Sequence, residues 1–178
     1  MQVFSNPSRT YSWTPAPNSA TIWATMAYLV PFYLALPSIE KVTSLGFILK
    51  DEPDIPDDTY KFQEWYCPNP DCDCFEGLLR IFAAQQNSVA ARVFVPLDPA
   101  QSPYLDPAYP ITPTALAMLY LIAQYVKKDS AYLKRLRDHY WLVRAVAMDP
   151  KHPAHPALIE WATNGAAVPA SKPGRKKR

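Results

Sequence analysis

The chain has 178 residues, 49% of them hydrophobic and 13% aromatic, with a formal net charge of +2. That apolar content excludes disorder of the whole chain, and the length suits one domain with core enough to do without several disulfides. Its 20 prolines against 4 glycines point to many turn positions with φ fixed near −65°, and so to few, short helices.

Residues 1–19 read as a flexible segment. No charged residue occurs between Arg9 and Glu40, and within that run Thr21 to Leu36 is almost wholly apolar, interrupted by Pro31. It falls short of the ~20 apolar residues of a bilayer span, and it lacks the basic flank and small-residue cleavage site of a secretory signal. A buried or partner-facing helix is expected there, with segment 20–37 as the candidate surface for a protein partner and a cytoplasmic location for the chain. Asp51 to Asp58 combines acids and prolines without periodicity and reads as an exposed loop. Three strands follow: Tyr60 to Tyr66, Gly77 to Ala83 and Ala90 to Leu97, the last two joined by the polar turn Gln85–Ser88.

The last third is helical. Thr112-Pro113 supplies an N-cap and first turn, and Leu116, Leu119, Tyr120, Ala123 and Val126 recur at helical spacing up to Lys127-Lys128. Asp129 or Ser130 caps the next helix, whose stripe is Leu133, Leu136, Tyr140, Val143 and Ala147, and Asp149-Pro150 ends it. A short helix from Pro156 to Thr163 closes at Asn164-Gly165. The implied architecture is α+β: a small three-stranded antiparallel sheet around a zinc-knuckle loop, packed on N-terminal and C-terminal helices, in a single domain over 20–165. Residues 166–178 form a basic disordered tail.

Charge is unevenly placed. Glu40 to Glu64 carries seven acidic and three basic residues, Thr112 to Lys151 seven basic and three acidic, and Lys172–Arg178 five basic and none acidic. Lys134, Arg135, Arg137 and Arg144 fall mostly off the apolar stripe of their helix. With Lys172, Arg175, Lys176, Lys177 and Arg178 they are the candidate contacts for a weak, sequence-independent nucleic-acid interaction; the competing reading is solvated surface.

All three cysteines lie in the octet Cys67-Pro68-Asn69-Pro70-Asp71-Cys72-Asp73-Cys74. Closely spaced thiolates on a tight loop supply several ligands to a soft or borderline ion at little entropic cost, and zinc takes sulfur at about 2.3 Å in a tetrahedron. Softness argues against magnesium and calcium, and an iron–sulfur cluster usually needs four cysteines. Reduced structural thiols, or a Cys67–Cys72 redox pair with Cys74 as a third thiol, are the alternatives. The fourth ligand comes from His139, His152, His155, an aspartate, water or another subunit; His139, bordering the buried stripe of the basic helix, is the candidate carried forward.

Glu64 to Cys74, then Pro103-Tyr-Leu-Asp-Pro107, then Asp129 to Tyr140 together resemble a family of uncharacterised prokaryotic proteins. Its members carry Tyr-Cys-x-x-Pro-x-Cys-Asp-Cys, Pro-[Phe/Tyr]-Leu-Asp-Pro and a helix ending in Arg-His-Tyr, and some end in a cysteine-rich SEC-C metal-binding tail. The resemblance spans about residues 60–145 and implies metal binding. Asp138 stands where the family has arginine before His139, and Lys172–Arg178 has no cysteine.

Two function classes remain. One is a non-enzymatic, zinc-stabilised adaptor or regulatory protein; the other is a metal-dependent hydrolase-type enzyme whose zinc is held by the three cysteines and a water. His-Glu-x-x-His, a Gly-rich phosphate loop and Gly-x-Ser-x-Gly do not occur in the chain. Asp98 and Asp106 are the carboxylates an enzyme would offer as acid and base, and as Asp-Pro pairs they also suit turns.

Overall fold

A computed structural model describes residues 28–36 and 46–165. The expectations for segment 1–19, for residues 20–27 and 37, and for the basic tail, Lys172, Arg175, Lys176, Lys177 and Arg178 included, lie outside the described residues.

The central strand is β3 (Asp58–Tyr66), where alternation puts Tyr60, Phe62, Glu64 and Tyr66 on one face. It pairs antiparallel with β4 (Glu76–Ala83), which pairs with β5 (Ser88–Pro96), so the cysteine octet is the connection between β3 and β4. Two short strands share the other edge of β3: β1 (Val30–Pro31) opposite Trp65 and Tyr66, and β2 (Gly46–Leu49) opposite Asp58 to Lys61. The two-residue β6 (Tyr104–Leu105) pairs with β5. Among the described residues the antiparallel sheet therefore has six strands, twice the number expected. The extra three are too short, or too irregular in sequence, to show a period of two.

The N-terminal helix is also corrected where it is described. Val30–Pro31 is strand and Phe32–Leu34 a single 3-10 turn, because Pro31 lacks the N–H a continuing helix would need. Val30, Phe32 and Ala35 are buried in the domain's own core, leaving Tyr28 and Tyr33 exposed.

The prolines do not keep the helices short: α1 spans Pro113–Lys128 and α2 spans Ser130–Met148, followed by α3 at His155–Asn164. Among the described residues proline falls at the ends of helices and strands and in loops, and none interrupts a helix interior. The caps are as expected, with Thr112 accepting from Ala115 N–H and Asp129 from Ala131 and Tyr132 N–H. The stripe of α2 is buried as read, but that of α1 is rotated: Ala115, Met118 and Ile122 face the core while Leu116 and Tyr120 are exposed. Leucine on every side of α1 leaves periodicity unable to choose a face.

The helices cover the face of the sheet carrying Tyr60, Phe62, Tyr66, Leu79, Ile81, Ala91, Val93 and Val95, all in one buried cluster. Full burial of such side chains contributes roughly 1.5–3 kcal/mol each. Asp58, in the stretch read as exposed, is buried and accepts N–H bonds from Thr59, Gln85 and Gln86. Burial opposes its charge, yet those amides hold its carboxyl below the ordinary value, and they tie the β4–β5 turn to the start of β3. No helix among the described residues is long and apolar enough to cross a membrane.

Candidate metal centre

The octet leaves β3 at Tyr66 and returns into β4 at Glu76. Asn69 organises the turn: its side-chain oxygen accepts from Asp71 N–H at 2.9 Å and its carbonyl from Cys72 N–H at 3.3 Å, an Asx turn of the kind asparagine favours. That turn resolves the difficulty of Cys72 and Cys74, which would point apart on a flat strand. The sulfurs of Cys67, Cys72 and Cys74 all lie within 4.8 Å of one another, and none is in a disulfide. A tetrahedral ion with sulfur at about 2.3 Å places neighbouring sulfurs about 3.8 Å apart, so the three fit one ion with little movement.

Helix α2 holds the loop from outside. Arg144, only 6% exposed, donates from Nη2 to the Cys72 carbonyl at 2.7 Å and from Nη1 to the Pro70 carbonyl at 3.4 Å, with Nη2 3.9 Å from Cys74 Sγ. Its guanidinium stacks on the Tyr140 ring at 4.4 Å, and the Tyr140 hydroxyl donates to the Cys74 carbonyl at 2.7 Å. One helical turn thus grips three carbonyls of the octet, those of Pro70, Cys72 and Cys74. The Cys67 thiol is brought down to about 6, first by hydrogen bonding from the Cys74 thiol, against the effect of burial, and further by the Asn69 backbone, Cys72 and the Arg144 charge. Cys74, as the donor, is pushed far above the usual thiol range.

His139 is not in this cluster. It lies on α2, half-buried, with its ring stacked on Phe32 at 3.8 Å and Nδ1 2.6 Å from Glu64 Oε2. Glu64, with a side chain 2% exposed, also accepts from Arg135 Nη2 at 2.8 Å and from the Tyr66 hydroxyl at 2.9 Å. Tyr66 lies across Gly77, where a Cβ would come within 2.8 Å of the ring. His152 and His155 are likewise outside the cluster: His152 Nδ1 accepts from Ala154 N–H, and His155 begins α3. Among the described residues no histidine or carboxylate ligand atom joins the three sulfurs.

Three of the four basic side chains of α2 are held by other parts of the molecule. Arg135 pairs with Glu64, Arg137 donates to the Leu97 carbonyl at 2.7 Å, Arg144 grips the octet, and Lys134 pairs with Asp138. Only Lys134 of the four is exposed. Asp98 and Asp106 accept local N–H groups in turns, and Asp106 also pairs with Arg92 at 2.9 Å. Sequence reasoning missed Arg144 and Tyr140 as the loop's clamp and Glu64 as a shared acceptor. Arg144 stands four residues after Tyr140, so helical spacing places it on the buried stripe. No known family model, curated protein or solved structure matches the chain.

Proposed function

We propose that this protein is a non-enzymatic, zinc-stabilised adaptor domain, in which one ion bound by Cys67, Cys72 and Cys74 locks the β3–β4 connection. The observation that carries this reading is the convergence of the three sulfurs within 4.8 Å on a loop gripped by Arg144 and Tyr140. Sulfur ligands select zinc over the hard cations, and a site whose loop is held by buried side chains suits a structural ion. Water or a partner's group completes the tetrahedron.

A protein partner is supported by what lies beside the loop. Phe75, directly after Cys74, and Trp141, directly after Tyr140, are 37% and 56% exposed with ring centroids 6.0 Å apart. An exposed aromatic pair, one ring on the ion-ordered loop and one on the helix that grips it, is the composition expected of a protein-binding surface. The test is elemental analysis of the full chain purified without chelator. About one zinc per chain is expected, lost in Cys72→Ser. Absence of any transition metal, with three freely titrating thiols, would sink the proposal.

A further inference from the structure

The sheet face turned away from the helical core carries a pair of arginines. Arg80 on β4 and Arg92 on β5 stand directly opposite each other, both on the face bearing Trp65 and Leu78. Like charges directly opposite are destabilising in a sheet. Asp106 pairs with Arg92 at 2.9 Å, which balances one of the two guanidiniums. Among the described residues Arg80 has no carboxylate partner; its guanidinium lies over the Trp65 ring at 4.9 Å. Burial, with Arg92 adding to it, lowers the Arg80 guanidinium below its ordinary value. Two donors here are buried without a hydrogen-bond partner among the described residues, Arg92 Nε and Trp65 Nε1.

These groups line a cavity of about 420 Å³ with Tyr28, Leu29, Trp161 and Gly165. Trp65 and Trp161 stand 5.7 Å apart in a tilted pair. The Tyr28 ring lies against Gly165, 3.4 Å from where a Cβ would sit, and the φ of +70° at Gly165 is one that glycine adopts freely. The volume is within the roughly 300–1,000 Å³ of small-molecule sites.

We propose that this cavity binds a nucleotide unit, the phosphate taken by Arg80 beside Arg92 and the base stacked against Tyr28 and Trp161. A guanidinium pair matches phosphate through planar, forked donors. Aromatic faces accept any base by stacking. The phosphate also supplies the negative charge that the Arg80–Arg92 pair lacks. No residue of the cysteine octet lines the cavity.

The same chemistry serves a free mononucleotide or the end of a single strand. Calorimetric titration of the full chain with adenosine and uridine monophosphates, inorganic phosphate, adenosine and a short 5′-phosphorylated oligonucleotide tests it. Both monophosphates are expected to bind with a dissociation constant at or below about 1 mM, and inorganic phosphate and adenosine at least about tenfold more weakly. An oligonucleotide binding more tightly than the monophosphates assigns the site to strand ends, and one binding more weakly to free nucleotides. Arg80→Gln should weaken monophosphate binding at least about tenfold, with Arg80→Lys intermediate because it keeps charge but not the fork. Tyr28→Ala should weaken the monophosphates and leave inorganic phosphate unchanged. No heat with either monophosphate, phosphate binding as tightly as the monophosphates, or unchanged affinity in a folded Arg80→Gln protein would each overturn the proposal.

Discussion

Arg144 reaches from near the C-terminal end of α2 to the carbonyl of Cys72, 2.7 Å away, while its guanidinium rests on Tyr140 four residues earlier. The contact joins the longest described helix to the loop that would hold the metal. Charge-assisted bonds to backbone carbonyls fix where the flanking sulfurs sit, much as outer partners fix metal ligands elsewhere. Replacing Arg144 with Met should lower zinc affinity about 10–100-fold and destabilise the metal-free fold by about 1–3 kcal/mol, since buried carbonyls lose their donor. Arg144→Lys should rescue little, because one ammonium cannot repeat the forked contact to Cys72 and Pro70. Competition with a chromogenic chelator measures the first effect and urea unfolding the second; unchanged affinity in the Met variant would refute the clamp.

Acid should release the metal. Zinc requires thiolates, and protons compete for them. Hydrogen bonding from Cys74 lowers the Cys67 thiol to about 6 and raises Cys74 in turn, so binding displaces fewer protons above that pH than below it. Affinity should therefore decline steadily as pH falls and more steeply below about pH 6. Zinc retention measured from about pH 8 to about pH 5 checks this; a flat profile across that window would contradict thiolate ligation.

Glu64→Gln should be among the most damaging single changes outside the octet. The carboxylate serves Arg135, His139 and Tyr66 at once, and an amide cannot accept from all of them or balance the arginine. Breaking a buried pair costs about 3–5 kcal/mol, and the low end applies because Arg135 keeps a third of its exposure. In a cycle with Arg135→Met, the double variant is expected to be more stable than Glu64→Gln alone. Strict additivity would show that the two side chains do not interact.

Alkaline solution should unfold the domain in step with tyrosine ionisation. Burial, reinforced by the neighbouring Glu64 charge, raises Tyr66 well above its usual value, and burial lifts Tyr140 to about 12. Groups raised in the fold hold their protons more tightly there than in the unfolded chain, which titrates near about 10. Their contribution is whole below about pH 10 and is lost as pH rises beyond it. Circular dichroism and tyrosinate absorbance should show the buried class ionising only as structure is lost; full ionisation near pH 10 with the fold intact would be inconsistent with this packing.

Removing metal should be visible at Trp141. Its ring lies 5.0 Å from Tyr140 and 6.0 Å from Phe75, on either side of the loop's attachment. A chelator is expected to change the tryptophan emission of the intact chain, and Trp141→Phe should remove most of that change. An equal change in both proteins would place the loosening elsewhere.

The helices and the three long strands were legible because each carries its own signal: Thr112 and Asp129 as caps, alternation in Tyr60–Tyr66, a stripe through Leu133 and Tyr140. The cysteine cluster was legible for the same local reason. What escaped depends on partners distant in sequence. Glu64 is joined to His139 across 75 positions and Arg144 to Cys72 across 72, and no period within one element shows that a charged side chain has a buried partner. Basic residues on a helix therefore looked like a surface for anions when three of the four are internal fasteners. His139 stood near enough to the stripe to suggest a ligand, yet the acceptor holding it lies on β3.

The first and last described segments meet. Tyr28 N–H donates to the Ala162 carbonyl, and the Trp161 indole N–H to the Leu29 carbonyl at 3.2 Å, so β1 and α3 complete each other across 132 positions. During synthesis β3 and β4 have their neighbours as soon as they emerge, whereas the contacts of Tyr28 and Leu29 with α3, among the described residues, form only when α3 has left the ribosome. A premature stop before Trp161 would then yield a chain whose long strands and octet are formed while the Tyr28–Leu29 backbone lacks its partners on α3, a loosened segment of the kind that favours aggregation.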